Sequence, residues 1–472
     1  MLVTFSVSNF RSFGEEVTLN MVASNRMDDH PGHCIPLPGD SAKKLLRTAV
    51  IYGANAAGKS NLVKAMNFGQ RAIIGGEQQF PLVQPFRFDP SLSDQPSSFE
   101  FRFLLYEHIF IYGFDVAREG GIKSEWLSVV VGNDEVPIFT RNGDGIATVD
   151  HGIVEIFPQE KPAFETLQVL GRIGLTKRQL FLNRIGSIPV PAQGTVMSGI
   201  IRWLTKDLVI LSTDSRSRDI LDRLQSDDLF RQFSQRFLSS VGTGVSDLFV
   251  IEGERAASDW EQRYLLDITK IGNADAGMVR YDSSEDSDSR IDPKDPTKLI
   301  TRRIVATHRS RQPNKTFPLP FSEESDGTKQ LLHLMPVICP PREQIQHNKV
   351  VVIDELDRSL HPLICWEFIR FFGESCPGEH RQLIVTTHEA HLLDQGLLRR
   401  DEYWFVEKDA SQQSQLVPLS DFKIRNDLQV QKGYLQGRFG AIPIIGGLQS
   451  LERLLECGAV GEGGDAAKKT PN

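Results

Sequence analysis

The densest chemical information in the sequence lies in eight residues, Gly53-Ala54-Asn55-Ala56-Ala57-Gly58-Lys59-Ser60. Two glycines let a backbone wrap closely round a bound group, so that successive N–H groups face phosphate oxygens. Lys59 then neutralises the distal phosphates and Ser60 reaches a magnesium ion. On this reading Asn55, Ala56, Ala57, Gly58, Lys59, Ser60 and Asn61 surround a nucleotide, and the competing reading is a glycine-rich turn ahead of a structural helix. Far downstream, Val350-Val351-Val352-Ile353-Asp354-Glu355 is an apolar β-type run ending in two carboxylates. Asp354 suits a water-mediated hold on magnesium and Glu355 the polarisation of an attacking water, because phosphoryl transfer needs positioning and charge more than covalent chemistry. Either motif alone has a bland alternative, but their co-occurrence makes a buried strand with a charged end a poor explanation.

These residues need elements to hold them. Ala49-Val50-Ile51-Tyr52 leads straight into the glycine loop and Asn61 to Phe68 reads as a helix, the strand–loop–helix order that a phosphate loop requires. Leu2 to Val7 alternates like a half-buried strand, and short apolar runs between Ser98 and Val149, separated by Gly120-Gly121, Asn133-Asp134 and Asn142-Gly143, predict an antiparallel meander. Longer periodic stretches, Ile200 to Leu211 and Ile220 to Val241 among them, predict helices. Asp282 to Lys298 is expected to be a solvated loop, since its acidic residues lack the glycine and terminal glutamate of a calcium loop. Strands are expected again at Lys349 to Ile353 and Gln382 to Thr386.

Bulk composition sets the frame. The 472 residues suffice for two to four domains or one large domain with insertions, and 40% hydrophobic with 24% charged residues is ordinary for a folded protein. No apolar run reaches the roughly 18 residues of a membrane span and no signal-type start is present, which points to a cytoplasmic protein. Cys34, Cys339, Cys365, Cys376 and Cys457 are scattered, indicating neither a disulfide framework nor a zinc site. A formal charge of −8 argues against a surface basic overall, while leaving room for a local DNA-binding groove.

Three further segments sort the site. Thr386-Thr387-His388 follows a strand, Leu356-Asp357-Arg358-Ser359-Leu360-His361-Pro362 follows the acidic pair, and Ser322 to Gln330, reading SEESDGTKQ, precedes it. Together with the glycine loop (Walker A) and the acidic strand (Walker B) they resemble the ABC-type ATPase heads of the SMC, RecF and Rad50 kind. The resemblance implies an α/β P-loop head with an antiparallel β subdomain and a helical insertion. It implies ATP and Mg2+ as ligands, His388 on the gamma phosphate, and Asp357 in a D-loop that reaches across a dimer interface. Ser325 and Gly327 would be a departed signature, facing the nucleotide bound by a second copy, and Arg11 an N-terminal arginine near the nucleotide. The Q-loop is not assigned, Gln84 being a weak candidate.

From Asn9-Phe10-Arg11-Ser12-Phe13 to Tyr434-Leu435-Gln436-Gly437-Arg438-Phe439-Gly440-Ala441-Ile442-Pro443, the chain is similar to the AAA family of ABC-type ATPases that includes RloA, AbiLi and the AriA subunit of the PARIS system. That likeness implies a role in bacterial anti-phage defence or abortive infection, a homo-oligomer joined at its heads, a phage-derived trigger and a separate nuclease or toxin effector. Too few residues follow His388 for a fused nuclease. The rival reading is a RecF-like DNA-binding repair ATPase, and a third is a scaffold that binds ATP without turnover, against which the Asp354-Glu355 pair speaks. The expected divisions are 1–155 and 301–410 for the two parts of the head, 156–300 for a mainly helical insertion, 411–457 for an extension that is either strap or assembly surface, and a disordered tail at 458–472.

Overall fold

The computed structural model describes residues 1–212, 220–256, 278–282, 286–292, 295–312, 315–339, 349–374, 380–422 and 430–439. The expected tail, Cys376, Cys457 and residues 440–443 of the Tyr434–Pro443 segment lie outside them.

The elements that position the glycine loop form a six-stranded sheet. Its order is Leu208–Leu211, Val350–Ile353, Gln382–Thr386, Thr48–Gly53, Tyr403–Lys408 and Ser414–Pro418. The first five run parallel and the last is antiparallel to its neighbour. A parallel sheet is covered on both faces, which is why its strands read as unbroken apolar runs such as Val350–Ile353 rather than as alternations. Ala49, Ile51, Val350, Val352 and Ile384 face one core, with the helix Lys59–Gly75. Val50, Tyr52, Val351, Ile353, Leu383 and Val385 face the other, with the helices Asp326–Ile338 and Pro362–Glu374.

The predicted meander is present as five antiparallel strands, which Leu2–Ser8 and Val17–Asn20 extend at one side into a seven-stranded sheet. The Lys59–Gly75 helix packs against it: Phe68 stacks on Phe99 at 4.7 Å between ring centroids, and a side chain at Gly69 would run into the Phe101 ring. Gln382 ties the two sheets together, its amide accepting from Leu2 N at 2.6 Å and donating to the carbonyls of Leu2 and Leu46.

Three expectations are corrected. Ile200 to Leu211 is not one helix: Thr195–Arg202 is helical, Trp203–Asp207 widens into a π turn, and Leu208–Leu211 is a strand beside Val350–Ile353. The amide of Gln70 bonds the carbonyls of Leu204 and Leu208 at this transition, so the helix can open there without leaving them unpaired. The region expected to be mainly helical up to residue 300 changes character after Asp228–Ser240, where Val245–Ala256 pairs with the long strand Asp295–Arg309. Within it, Asp282 to Lys298 is no solvated loop in its described parts. Ser287–Asp292 is a strand, and Asp286 and Asp288 are buried because His333 holds the first at 2.8 Å and Arg302 the second at 2.9 Å. Partners this remote turn a polar, loop-like sequence into core.

Of the C-terminal extension, Ser414–Pro418 is the last strand of the six-stranded sheet and residues 430–439 pack beneath that sheet. Tyr434, on the short helix Val430–Leu435, and Phe439 are buried against the underside of the sheet, with ring centroids 5.7 Å from Tyr52 and 5.5 Å from Phe405 respectively.

Candidate functional site

The strand Thr48–Gly53 delivers the loop to the carboxyl end of the parallel sheet, the place where open α/β sheets bind ligands. The loop's turns demand its small residues. Ala56 takes a left-handed φ of 63°, Gly58 lies at φ 123°, and a Cβ on Gly53 would sit 2.7 Å from the Val406 carbonyl oxygen. A side chain on Gly58 would collide with the hydroxyls of Ser12 and Ser414. These two serines had no signal in the sequence. Ser414 donates its N–H to Ser12 O at 2.7 Å and its hydroxyl to Ala57 O at 2.5 Å, while the Asn61 amide donates to Ser12 Oγ at 2.8 Å. The loop is thus clamped from outside before any ligand arrives. Asn55 and Ala56 stay exposed at its crest, Ala57 and Gly58 are buried, and Ser60 is half-buried in the first turn of a helix that no side chain caps. Its N–H groups remain available for an anion.

Lys59 folds back into this cradle. Its ammonium donates to Gly53 O at 2.8 Å and Ala54 O at 3.3 Å and stands 2.9 Å from a ring nitrogen of His388, with no carboxylate at ion-pair distance among the described residues. Burial pushes its pKa down to about 8, against the opposing pull of Asp357, Glu355 and Asp354. His388 is likewise lowered, first by desolvation and then by Lys59. An ammonium without an anionic contact, next to an imidazole kept neutral, is a pair that a phosphate would relieve.

The acidic strand end lies opposite. Asp354 is 6% exposed, accepts from the Thr386 hydroxyl at 2.6 Å, and its N–H bonds Leu211 O at 2.9 Å. Glu355 sits half-buried in the left-handed region at φ 56°. Asp357 is turned onto its own chain, accepting the His388 N–H at 3.2 Å, and its Oδ1 is buried without a hydrogen-bond partner. Lys59, His388, Asp354, Glu355 and Asp357 are therefore brought together.

Ser325 and Gly327 are not part of this group. Ser325 caps the helix Asp326–Ile338, its Oγ accepting from Thr328 N at 3.2 Å, on the sheet face opposite to the Lys59–Gly75 helix. Gly327 has a local reason to lack a side chain, since its Cβ would stand 2.6 Å from Ser359 O. Gly327→Ala is expected to cost about 1–3 kcal/mol through overpacking; denaturant unfolding measures it, and an unchanged midpoint would show that the Ser359 turn simply yields. Arg11 has φ 55°, is pinned by its N–H to Gln84 O at 2.7 Å, and follows directly on the strand side of the Ser12 clamp. Gln84 therefore braces the Arg11 turn through its backbone, and the strand that ends beside Asp354 is Leu208–Leu211.

Against known proteins, the sequence matches the family described as "AAA domain, putative AbiEii toxin, Type IV TA system" over residues 49–153 and 211–394, which include the glycine loop, Asp354, Glu355 and His388. No curated protein matches. Among solved structures, the SMC head domain from Thermotoga maritima is similar at 14% identity, covering 88% of this chain and 98% of its own, with a TM-score of 0.35. The architecture is an α/β head in which a largely parallel sheet carries the glycine loop beside a seven-stranded antiparallel sheet, and the chain belongs to this AAA-domain family.

Proposed function

We propose that the protein binds ATP with Mg2+ and hydrolyses it, and that it does so in an oligomer joined at its heads, as the switch of a defence or abortive-infection system. The observation that carries the reading is the convergence of Lys59, His388 and the carboxylates of Asp354, Glu355 and Asp357 at one end of the parallel sheet. The glycine cradle fits phosphate, because its uncapped helix start offers N–H groups to an anion and Lys59 meets only neutral groups there. Ser60 and Asp354 are the residues that would hold magnesium, which when bound supplies neutralisation of phosphate charge. Among the described residues Asp354 is hydrogen-bonded through Oδ1 alone, which leaves Oδ2 for that task.

Within this reading Glu355 acts as general base on water, His388 contacts the terminal phosphate, and Arg11 lies toward the nucleotide from the clamped turn. Ser325 and Gly327 would act on the nucleotide of a second copy, a reading supported by their helix packing on the sheet face opposite to the Lys59–Gly75 helix. Asp357 would then exchange its hold on the His388 amide for one across the interface. The family description, with its toxin and type IV toxin–antitoxin system, supports a defence role; a separate effector released by a phage-derived trigger is what the resemblance to the RloA and AbiLi branch implies. Phosphate release by the purified protein with ATP and Mg2+ tests the reading, and absence of both turnover and nucleotide binding would sink it.

One consequence concerns pH. Because Lys59 titrates at about 8 without ligand and a phosphate beside it restores the protonated form, ATP affinity is expected to fall as pH rises through about 8. The fall approaches about tenfold per pH unit above that point, with proton uptake on binding. Calorimetry in buffers of different ionisation enthalpy reads the proton directly; uptake that stays at zero at pH 8–9 would mean that Lys59 is already charged.

A further inference from the structure

Thr386 is fully buried at the end of the strand Gln382–Thr386, two residues before His388, which is the one residue of that segment given a role by the resemblance. The geometry gives it three contacts with three consecutive residues. Its hydroxyl donates to Asp354 Oδ1 at 2.6 Å and accepts the N–H of Glu355 at 2.8 Å, while its carbonyl accepts the N–H of Leu356 at 3.0 Å. The neighbouring residue, Thr387, anchors the same strand end to the glycine-loop strand through its N–H to Ile51 O at 3.0 Å. We propose that Thr386 is a positioning residue for phosphoryl transfer, whose hydroxyl orients the Asp354 carboxylate and holds the Glu355 backbone in its left-handed conformation.

The argument is one of donor and acceptor counts. A hydroxyl both donates and accepts, so a single atom fixes a side chain and the following backbone amide. With Oδ1 committed to Thr386, the carboxylate of Asp354 is fixed in orientation by one donor among the described residues and keeps Oδ2 for another partner. Glu355 is neither glycine nor asparagine, and φ 56° is a conformation it keeps only under outside constraint. The N–H bond to Thr386 is that constraint, and it aims the carboxylate that the reading above makes the general base. Because the threonine reaches Thr387 and hence the glycine-loop strand, the two halves of the nucleotide site share one rigid connection.

The inference rests on the ATPase reading. Its test uses the whole protein and the variants Thr386→Val, which keeps shape and removes the hydroxyl, and Thr386→Ser, which keeps the hydroxyl. Binding of a fluorescent N-methylanthraniloyl-ATP is titrated with and without Mg2+, alongside phosphate release and thermal melting. The valine variant is expected to bind the magnesium-free analogue like the parent, lose about 10–100-fold in its magnesium-dependent affinity and turnover, and recover most of both as serine. Equal magnesium dependence in parent and valine variant, or a serine variant as impaired as the valine one, would overturn the assignment. A parent that binds no nucleotide at all overturns the ATPase reading and this inference with it, whereas a parent with normal turnover beside an unimpaired valine variant overturns the inference alone. Should the valine variant melt early, the serine variant still decides, because a merely structural role predicts loss of stability without a change in magnesium dependence.

Discussion

Glu355→Gln is expected to lower steady-state phosphate release by about 10²–10⁴-fold, the contribution of a positioned general base, while ATP binding persists. The substitution keeps the volume of the side chain and the backbone bond from residue 355 to the Thr386 hydroxyl, so the acidic turn should retain its shape. What disappears is the proton acceptor and one of three negative charges that act on Lys59. The loss of that charge should if anything strengthen the hold on ATP, since Asp354, Glu355 and Asp357 together repel an incoming triphosphate. Binding and phosphate release measured on one preparation separate the two effects. If the Gln variant turns over at the parent's rate, the base lies elsewhere, and Glu389, which follows His388 and accepts from His391 N at 3.0 Å, is the next carboxylate to examine.

The difference between what sequence reveals and what it hides is visible at these same residues. Gly53 to Ser60 and Val350 to Glu355 declare themselves because their chemistry is contiguous and their strands, buried on both faces, are apolar without interruption. Ser12, Thr386 and Ser414 do not, although each makes hydrogen bonds on which the loop or the acidic turn depends. A single hydroxyl acting on a residue 32, 49 or 357 positions away leaves no periodicity of its own in the sequence. The same holds for Asp286 and Asp288, whose burial is set by His333 and Arg302, and for Leu208–Leu211, four apolar residues too few to distinguish a strand from the end of a helix. Tyr434 and Phe439 belong to an intermediate class: their segment stands out in the sequence, but only the structure shows these two rings packed against Tyr52 and Phe405.

The placement of Ser325 leads to the second large effect. Within one chain the Asp326–Ile338 helix packs on the sheet face opposite to the Lys59–Gly75 helix, and Ser325 is engaged in capping its own helix rather than in contact with the glycine loop. If the working site is composite, Lys59→Ala removes a site's phosphate contact from one copy and Ser325→Arg blocks it from the other. Each variant alone is expected to lose about 10²–10³-fold in turnover, the order found for deleting one preorganised group at a developing charge. An equimolar mixture behaves differently. In a two-fold interface, random pairing gives half mixed dimers, each with one site made from the intact Lys59 of one copy and the intact Ser325 of the other, so turnover should return to about a quarter of the parent's. Ser325→Arg also removes a helix cap worth about 1 kcal/mol, which a melting curve registers and which mixing cannot repair. Recovery on mixing two inactive proteins therefore cannot come from restored stability, and a mixture as inactive as its components would return both halves of the site to a single chain.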